Sequence, residues 1–128
     1  MLMKKILVVD DSLLDRKLMI RVLAKSGITQ EILQAEDGEQ AMEILAVSYA
    51  DICLVLLDWQ MPKVSGIELM AGMIKIPELA NIPIIMVTAS GSDDNKRTAY
   101  HINPRLAGYL IKPYKAEELL AAIKPFLG

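Results

Sequence analysis

The chain has 128 residues, 53% hydrophobic and 23% charged, with a formal net charge of −2. That length suits one domain with one substantial core, and the composition excludes a disordered chain. The balance of charge offers no basic surface for direct nucleic-acid contact or for an anionic membrane.

Lys4-Lys5 leads into a first strand predicted over residues 5–9. Its four-residue apolar run is too short for a signal-peptide core, and no later run approaches the ~20 residues of a membrane span. A helix is expected over residues 13–26, with Leu14, Leu18, Val22 and Leu23 inward and Ser26-Gly27 as its stop. A short strand over 31–35 precedes a second helix, which starts after Glu36-Asp37-Gly38, runs to about Tyr49 and turns Ala41, Ile44 and Leu45 inward. The strand at 52–57 is apolar at every position, as a central parallel strand covered on both faces should be. It contains Cys53, the one cysteine, which reads as a small buried hydrophobe. No internal disulfide can form, which fits a reducing cytoplasmic location.

After the loop Met61-Pro62-Lys63-Val64-Ser65-Gly66, a third helix is predicted over 67–76 on Ile67, Met70, Met73 and Ile74. A strand over 84–87 follows. A fourth helix over 93–102 opens with Asp93 and Asp94 at the positive end of its dipole. Its middle, Asn95-Lys96-Arg97-Thr98, is polar, so its packing should be loose. A fifth strand over 107–111 and a last helix over 115–127 complete five β-α units. In that helix Ala116, Leu119, Leu120, Ile123 and Leu127 face inward. Right-handed crossovers then restrict the topology to a doubly wound, five-stranded parallel sheet flanked by five helices, and order 2-1-3-4-5 is chosen because it sets the first and third strands, with Asp10, Asp11 and Asp58, side by side. The eight methionines read as core filler.

Each buried run ends on a reactive side chain. Asp10 and Asp11 follow the first strand, Asp58 the third, Thr88 the fourth, and Lys112-Pro113 the fifth. Parallel strands finish at one edge of the sheet, which is where open α/β sheets build their sites. Each signal is ambiguous alone. Asp10-Asp11-Ser12 also suits a helix N-cap, Asp58 a turn, Thr88 an ordinary strand end, and Lys112-Pro113 a turn with a cis peptide. Together they describe a cluster of three carboxylates, one hydroxyl and one ammonium. Crowded carboxylates repel unless a cation intervenes, and Mg²⁺ prefers oxygen ligands and shares its site with phosphate. Asp11, Asp58 and one backbone carbonyl would leave such an ion open positions. Lys112 and Thr88 would meet the oxygens of an anionic group, and Asp58 is the natural nucleophile.

The motifs Asp10-Asp11-Ser12, Leu57-Asp58-Trp59-Gln60-Met61-Pro62, Ser65-Gly66-Ile67-Glu68-Leu69, Val87-Thr88-Ala89 and Tyr109-Leu110-Ile111-Lys112-Pro113 occur in this order. In them the whole chain, residues 1–128, resembles a single response-regulator receiver domain of the flavodoxin-like fold, and particularly the single-domain chemotaxis type. The resemblance implies a two-component signalling phosphoprotein rather than an enzyme, although it would assist its own phosphorylation and dephosphorylation. Asp58 would accept a phosphoryl group from a histidine kinase or phosphotransfer protein. Mg²⁺ would be held by Asp11, Asp58 and the Trp59 backbone carbonyl, with Asp10 acting mainly through water. Lys112 would bond the phosphoryl oxygen, Thr88 would move toward it, and Tyr109 would rotate inward behind it. Gln60 and Ser90 would flank the hydrolytic water and tune the lifetime of the phosphoryl group. The face from the fourth helix to the fifth strand would bind a downstream protein. Ser90 to Gly108 departs from the family pattern, and Asn103-Pro104-Arg105 is atypical there.

His101, the only histidine, lies at a helix end without a helical-bundle context, so the phosphodonor is another protein. Two other readings compete. One is a constitutive interaction module that works without phosphorylation. The other is an aspartyl-phosphate hydrolase, but such enzymes carry a second acid two residues beyond the nucleophile, where this chain has Gln60. A nucleotide or flavin binder is disfavoured, because the turn after the first strand is acidic and lacks glycine. The chain ends at Lys124-Pro125-Phe126-Leu127-Gly128, where a linker to an effector could begin.

Overall fold

The structure, a computed structural model, describes residues 4–127; Met1–Met3 and the terminal Gly128 lie outside it. Five strands, β1 (Lys5–Val9), β2 (Ile32–Ala35), β3 (Ile52–Leu57), β4 (Ile84–Thr88) and β5 (Gly108–Ile111), form one parallel sheet. Their order is β2-β1-β3-β4-β5, as expected. The helices are α1 (Leu13–Lys25), α2 (Gly38–Ser48), α3 (Gly66–Met73), α4 (Asp93–Ile102) and α5 (Ala116–Ile123). Among the described residues no helix is long and apolar enough to cross a membrane.

The sheet separates two apolar layers, because alternate residues of a strand point to opposite faces. Leu7, Val9, Val55, Leu57, Ile84 and Met86 pack under Ala41 and Leu45 of α2, Leu69, Met70 and Met73 of α3, and Ala99 of α4. Ile6, Val8, Leu54, Leu56, Ile85 and Val87 pack under Met19 and Leu23 of α1 and Leu119 and Ile123 of α5. Truncating any one of these buried aliphatic side chains to alanine should cost about 2–5 kcal/mol. Four methionines (Met19, Met70, Met73, Met86) are in the core, the role expected of them. Ala99 is the only buried residue of α4, as its polar sequence foretold.

The helices differ from expectation in detail. α1 buries Arg16, Met19 and Leu23, while Leu14 and Leu18, read as inward, are exposed. The cause is Arg16, whose guanidinium bonds the Asp10 carbonyl at 2.5 Å and the Gln34 side chain at 3.0 Å. This anchor turns the 16-19-23 row, and not the 14-18-22 row, toward the sheet. Residues 124–126 leave α5 as a short 3-10 turn, because Pro125 cannot continue an α-helix. α3 is shorter than its period suggested and begins at Gly66 with a capping box between Ser65 and Glu68.

Candidate functional site

Strand register builds the site. Val9 pairs with Leu57, so the next residues, Asp10 and Asp58, emerge side by side. Thr88 pairs with Ile111, and the Lys112 amide donates to the Thr88 carbonyl at 2.9 Å. The Lys112 ammonium thus reaches back across the edge of the sheet. It bonds Asp10 Oδ2 at 2.6 Å and Asp58 Oδ2 at 3.2 Å. The Lys112-Pro113 peptide is cis.

One partner of this ammonium is not foreseen from sequence. Asp15, in the first turn of α1, bonds Lys112 Nζ at 2.8 Å. Its sequence signal is spacing: Asp15 is four residues after Asp11, on the helix that begins beside it. Arg16 is the second residue missed. A cation in the first turn of a helix opposes the dipole, and that misfit is the cue to its anchoring role.

Asp10 is buried and has both oxygens engaged, Oδ1 by the Ser12 amide at 2.9 Å and Oδ2 by Lys112. Burial raises its pKa above the usual carboxylate value, against the opposing pull of Lys112 and the Ser12 amide. For Lys112, burial works against the charged form, but the hydrogen bonds to Asp10 and Asp15 and the charge of Asp58 outweigh it. The ammonium pKa is raised. Asp11 is exposed, and the Asp58 side chain is 12% exposed.

Carboxylate oxygens of Asp10, Asp11 and Asp58 all lie within 4.8 Å of one another. One hard cation can span that spacing, and an all-oxygen donor set suits Mg²⁺ or Mn²⁺ better than a softer metal. Charge points the same way. Four carboxylates, Asp10, Asp11, Asp15 and Asp58, face the two cations Lys112 and Arg16, so the formal excess is two negative charges. The residues therefore fit a divalent ion. The Trp59 carbonyl accepts the Gly66 amide at 2.8 Å, which commits one of its lone pairs to the start of α3. Gly66 has no room for a side chain, since a Cβ there would lie 2.0 Å from the Asp58 carbonyl oxygen.

Thr88 is buried at the end of β4, and its hydroxyl accepts the Ser90 amide at 3.2 Å. The Tyr109 hydroxyl donates to the Ser90 carbonyl, and the Lys96 ammonium stands 5.8 Å from the centre of the Tyr109 ring. Thr88, Ser90, Tyr109 and α4 are therefore mechanically connected. Burial, followed by the charge of Asp58, raises the Tyr109 pKa, so the hydroxyl remains a donor at neutral pH. Gln60 is exposed on the loop after Asp58.

A doubly wound sheet with an acidic cluster and a cross-edge lysine at its switch point defines a class of small α/β signalling domain. Comparison with known proteins places the chain within it. The response regulator receiver domain family matches residues 6–124, and the chain belongs to that family, whose members act in two-component systems. It is 40% identical to the phosphate regulon transcriptional regulatory protein PhoB of Pseudomonas aeruginosa, over 97% of this chain and 52% of PhoB. The chain thus spans about half the length of that relative. It is 32% identical to the chemotaxis protein CheY1 of Helicobacter pylori, over 97% of each chain. The Mn²⁺-bound response regulator Rcp1 superposes with a TM-score of 0.78 at 31% identity, covering 95% of this chain and 90% of Rcp1. The phosphorylated cyanobacterial phytochrome response regulator RcpA superposes with a TM-score of 0.80 at 29% identity, covering 97% of this chain and 91% of RcpA.

Proposed function

We propose that Asp58 accepts a phosphoryl group from a phosphohistidine of a histidine kinase or phosphotransfer protein. The observation that carries this reading is the position of the Asp58 carboxylate, 3.2 Å from Lys112 Nζ and grouped with those of Asp10 and Asp11. A carboxylate oxygen of Asp58 attacks phosphorus, the phosphorus–nitrogen bond breaks, and the imidazole leaves with the electron pair. Lys112 meets the charge on the phosphoryl oxygens, a task that needs positioning more than bond-making. The response regulator RcpA, of the same fold, has a structure in phosphorylated form, which supports phosphorylation of this chain.

Asp11 and Asp58 are the direct ligands we assign to Mg²⁺, and Asp10, with both oxygens engaged, acts through water. When bound, the ion neutralises charge on the phosphoryl group and the acceptor. The Trp59 carbonyl is the expected backbone ligand. Its bond to Gly66 makes the neighbouring Gln60 carbonyl an alternative, since no backbone amide among the described residues bonds that oxygen. The Mn²⁺-bound form of Rcp1 supports a divalent site in this fold.

Thr88 then moves to donate its hydroxyl to a phosphoryl oxygen, and the move stretches the bond that it accepts from the Ser90 amide. Ser90 holds Tyr109 through its carbonyl, so that move reaches β5 and the lightly packed α4. This bistable surface is the face offered to a downstream protein. Gln60 orients the hydrolytic water, and with Ser90 it tunes the lifetime. An unchanged dephosphorylation rate in Gln60→Ala would remove that role. The location consistent with a kinase partner is the cytoplasm.

The test is intact mass after incubation with acetyl phosphate, with and without Mg²⁺, for wild type and Asp58→Asn. One phosphoryl adduct that needs both Mg²⁺ and Asp58 is the expected result. Without an adduct and without Mg²⁺ binding, the constitutive module becomes the better reading.

A further inference from the structure

The Lys112 ammonium has three hydrogens to donate. Three carboxylates face them, Asp10 at 2.6 Å, Asp15 at 2.8 Å and Asp58 at 3.2 Å. The position held by Asp58, at 3.2 Å, passes to the group that Asp58 accepts, and a phosphoryl group that turns a second oxygen to this ammonium bonds it well only if a further partner yields. Asp10 is poorly placed to do so. Its side chain is 9% exposed, and its other oxygen is held by the Ser12 amide. Asp15 is different. Its side chain is 38% exposed, and it lines a cleft of about 450 Å³ together with Asp10, Lys112, Leu18 and Tyr114. It can swing into water at little cost. An acid in the first turn would favour the helix dipole wherever its carboxylate pointed, so that role leaves the contact with Lys112 unexplained.

We propose that Asp15 is the exchangeable carboxylate of this site, which holds Lys112 in the resting domain and cedes it to the incoming phosphoryl group. The inference rests on the reading of Asp58 as acceptor. With acetyl phosphate as donor, an Asp58 oxygen bonds phosphorus, the bond from phosphorus to the acyl oxygen breaks, and acetate leaves with the electron pair. Lys112 exchanges one hydrogen-bond acceptor for another, and no proton is transferred. Asp15 does not touch the reacting atoms. It is a positioning residue that acts through Lys112 and through its own charge beside the path of an anionic donor. Both effects slow uptake, so removing the charge should speed it.

The experiment follows the rate of adduct formation from acetyl phosphate, with saturating Mg²⁺, in wild type, Asp15→Asn and Asp15→Glu. Asp15→Asn should react roughly three- to tenfold faster, an estimate kept small because water screens a partly exposed charge. Asp15→Glu, which restores the carboxylate, should return toward the wild-type rate. Folding should survive, because the α1 cap uses the Asp15 backbone amide and the Ser12 hydroxyl, which both variants keep. A second reading uses the binding of beryllofluoride, monitored by fluorescence of Trp59, the only tryptophan. Asp15→Asn should bind it more tightly by a similar factor. Equal or slower adduct formation in Asp15→Asn, or unchanged beryllofluoride affinity, overturns the role of Asp15 and leaves Asp58 as acceptor. Failure of wild type to form any adduct overturns the acceptor reading, and this inference with it.

Discussion

Asp58 Oδ2 stands 3.2 Å from Lys112 Nζ, the longest of the three bonds this ammonium makes to carboxylates. The proposed acceptor is therefore the partner held least tightly, while Asp10, and in the resting domain Asp15, hold the lysine in place. Replacing Lys112 with methionine keeps most of the side-chain length but removes the charge. Adduct formation should fall by about 10²-fold or more, as for loss of one preorganised electrostatic contact. The check is the acetyl phosphate rate at saturating Mg²⁺. A rate within twofold of wild type would remove Lys112 from the mechanism.

Asp11 is exposed, and in the structure it contributes to the acidic cluster without a described hydrogen-bond partner. Asp11→Asn should therefore change metal-free stability by less than about 0.5 kcal/mol. Mg²⁺ at about a hundred times its Kd should stabilise wild type by about 2.7 kcal/mol, because only the folded chain assembles the site. Asp11→Asn should lose most of that gain. Thermal unfolding across a Mg²⁺ titration measures both terms.

Asp10 carries a pKa raised chiefly by burial. A carboxyl whose folded pKa exceeds its unfolded value binds its proton more tightly in the folded state. Its contribution therefore opposes folding once the pH is above the folded pKa, and the penalty is relieved as pH falls through that value. Asp10→Asn removes this pH-dependent penalty together with the 2.6 Å bond to Lys112, so the stability of the variant relative to wild type should fall as pH drops from neutral to acid. Denaturant unfolding at neutral and acid pH tests the sign. Mg²⁺ binding should weaken in the same variant, since a carboxylate of the cluster is gone.

Gly66 packs its α-carbon against the Asp58 carbonyl. Gly66→Ala must push the loop after β3 away from that oxygen, break the Trp59–Gly66 bond, or both. The expected cost is roughly 2–4 kcal/mol, with a slower phosphorylation rate because Asp58 moves with its own backbone. Gly72 provides the control. A Cβ there meets nothing within 4 Å, so Gly72→Ala should be neutral or slightly stabilising.

Tyr109→Phe removes the hydroxyl that donates to the Ser90 carbonyl. The stability cost should be about 0.5–1.5 kcal/mol. Adduct formation at Asp58 should change little, because the hydroxyl bonds Ser90 and not the acceptor. Amide exchange in α4 should differ from wild type in the phosphorylated domain, where Tyr109 links Ser90 to that helix. Identical exchange in both proteins would argue against a coupling role for this hydroxyl.

Much of this molecule follows from local rules. The apolar runs at residues 6–9, 54–57 and 84–87 are buried on both faces, so their strands and their parallel direction could be read directly. The residues that end those runs had to share one edge, since parallel strands point the same way. That direction alone puts Asp10, Asp58, Thr88 and Lys112 at one edge. What the tertiary structure alone decided concerns side chains whose partners are remote in sequence. Hydrophobicity favoured the row of Leu14 and Leu18 as the inward face of α1, and Arg16 overturned that reading by bonding the Asp10 carbonyl and the Gln34 side chain. Asp15 enters the site only through the packing of α1, which brings it within 2.8 Å of Lys112, 97 positions away. Periodicity records which face of an element is apolar. It does not record which charged group will stand opposite, because that depends on how separate elements pack.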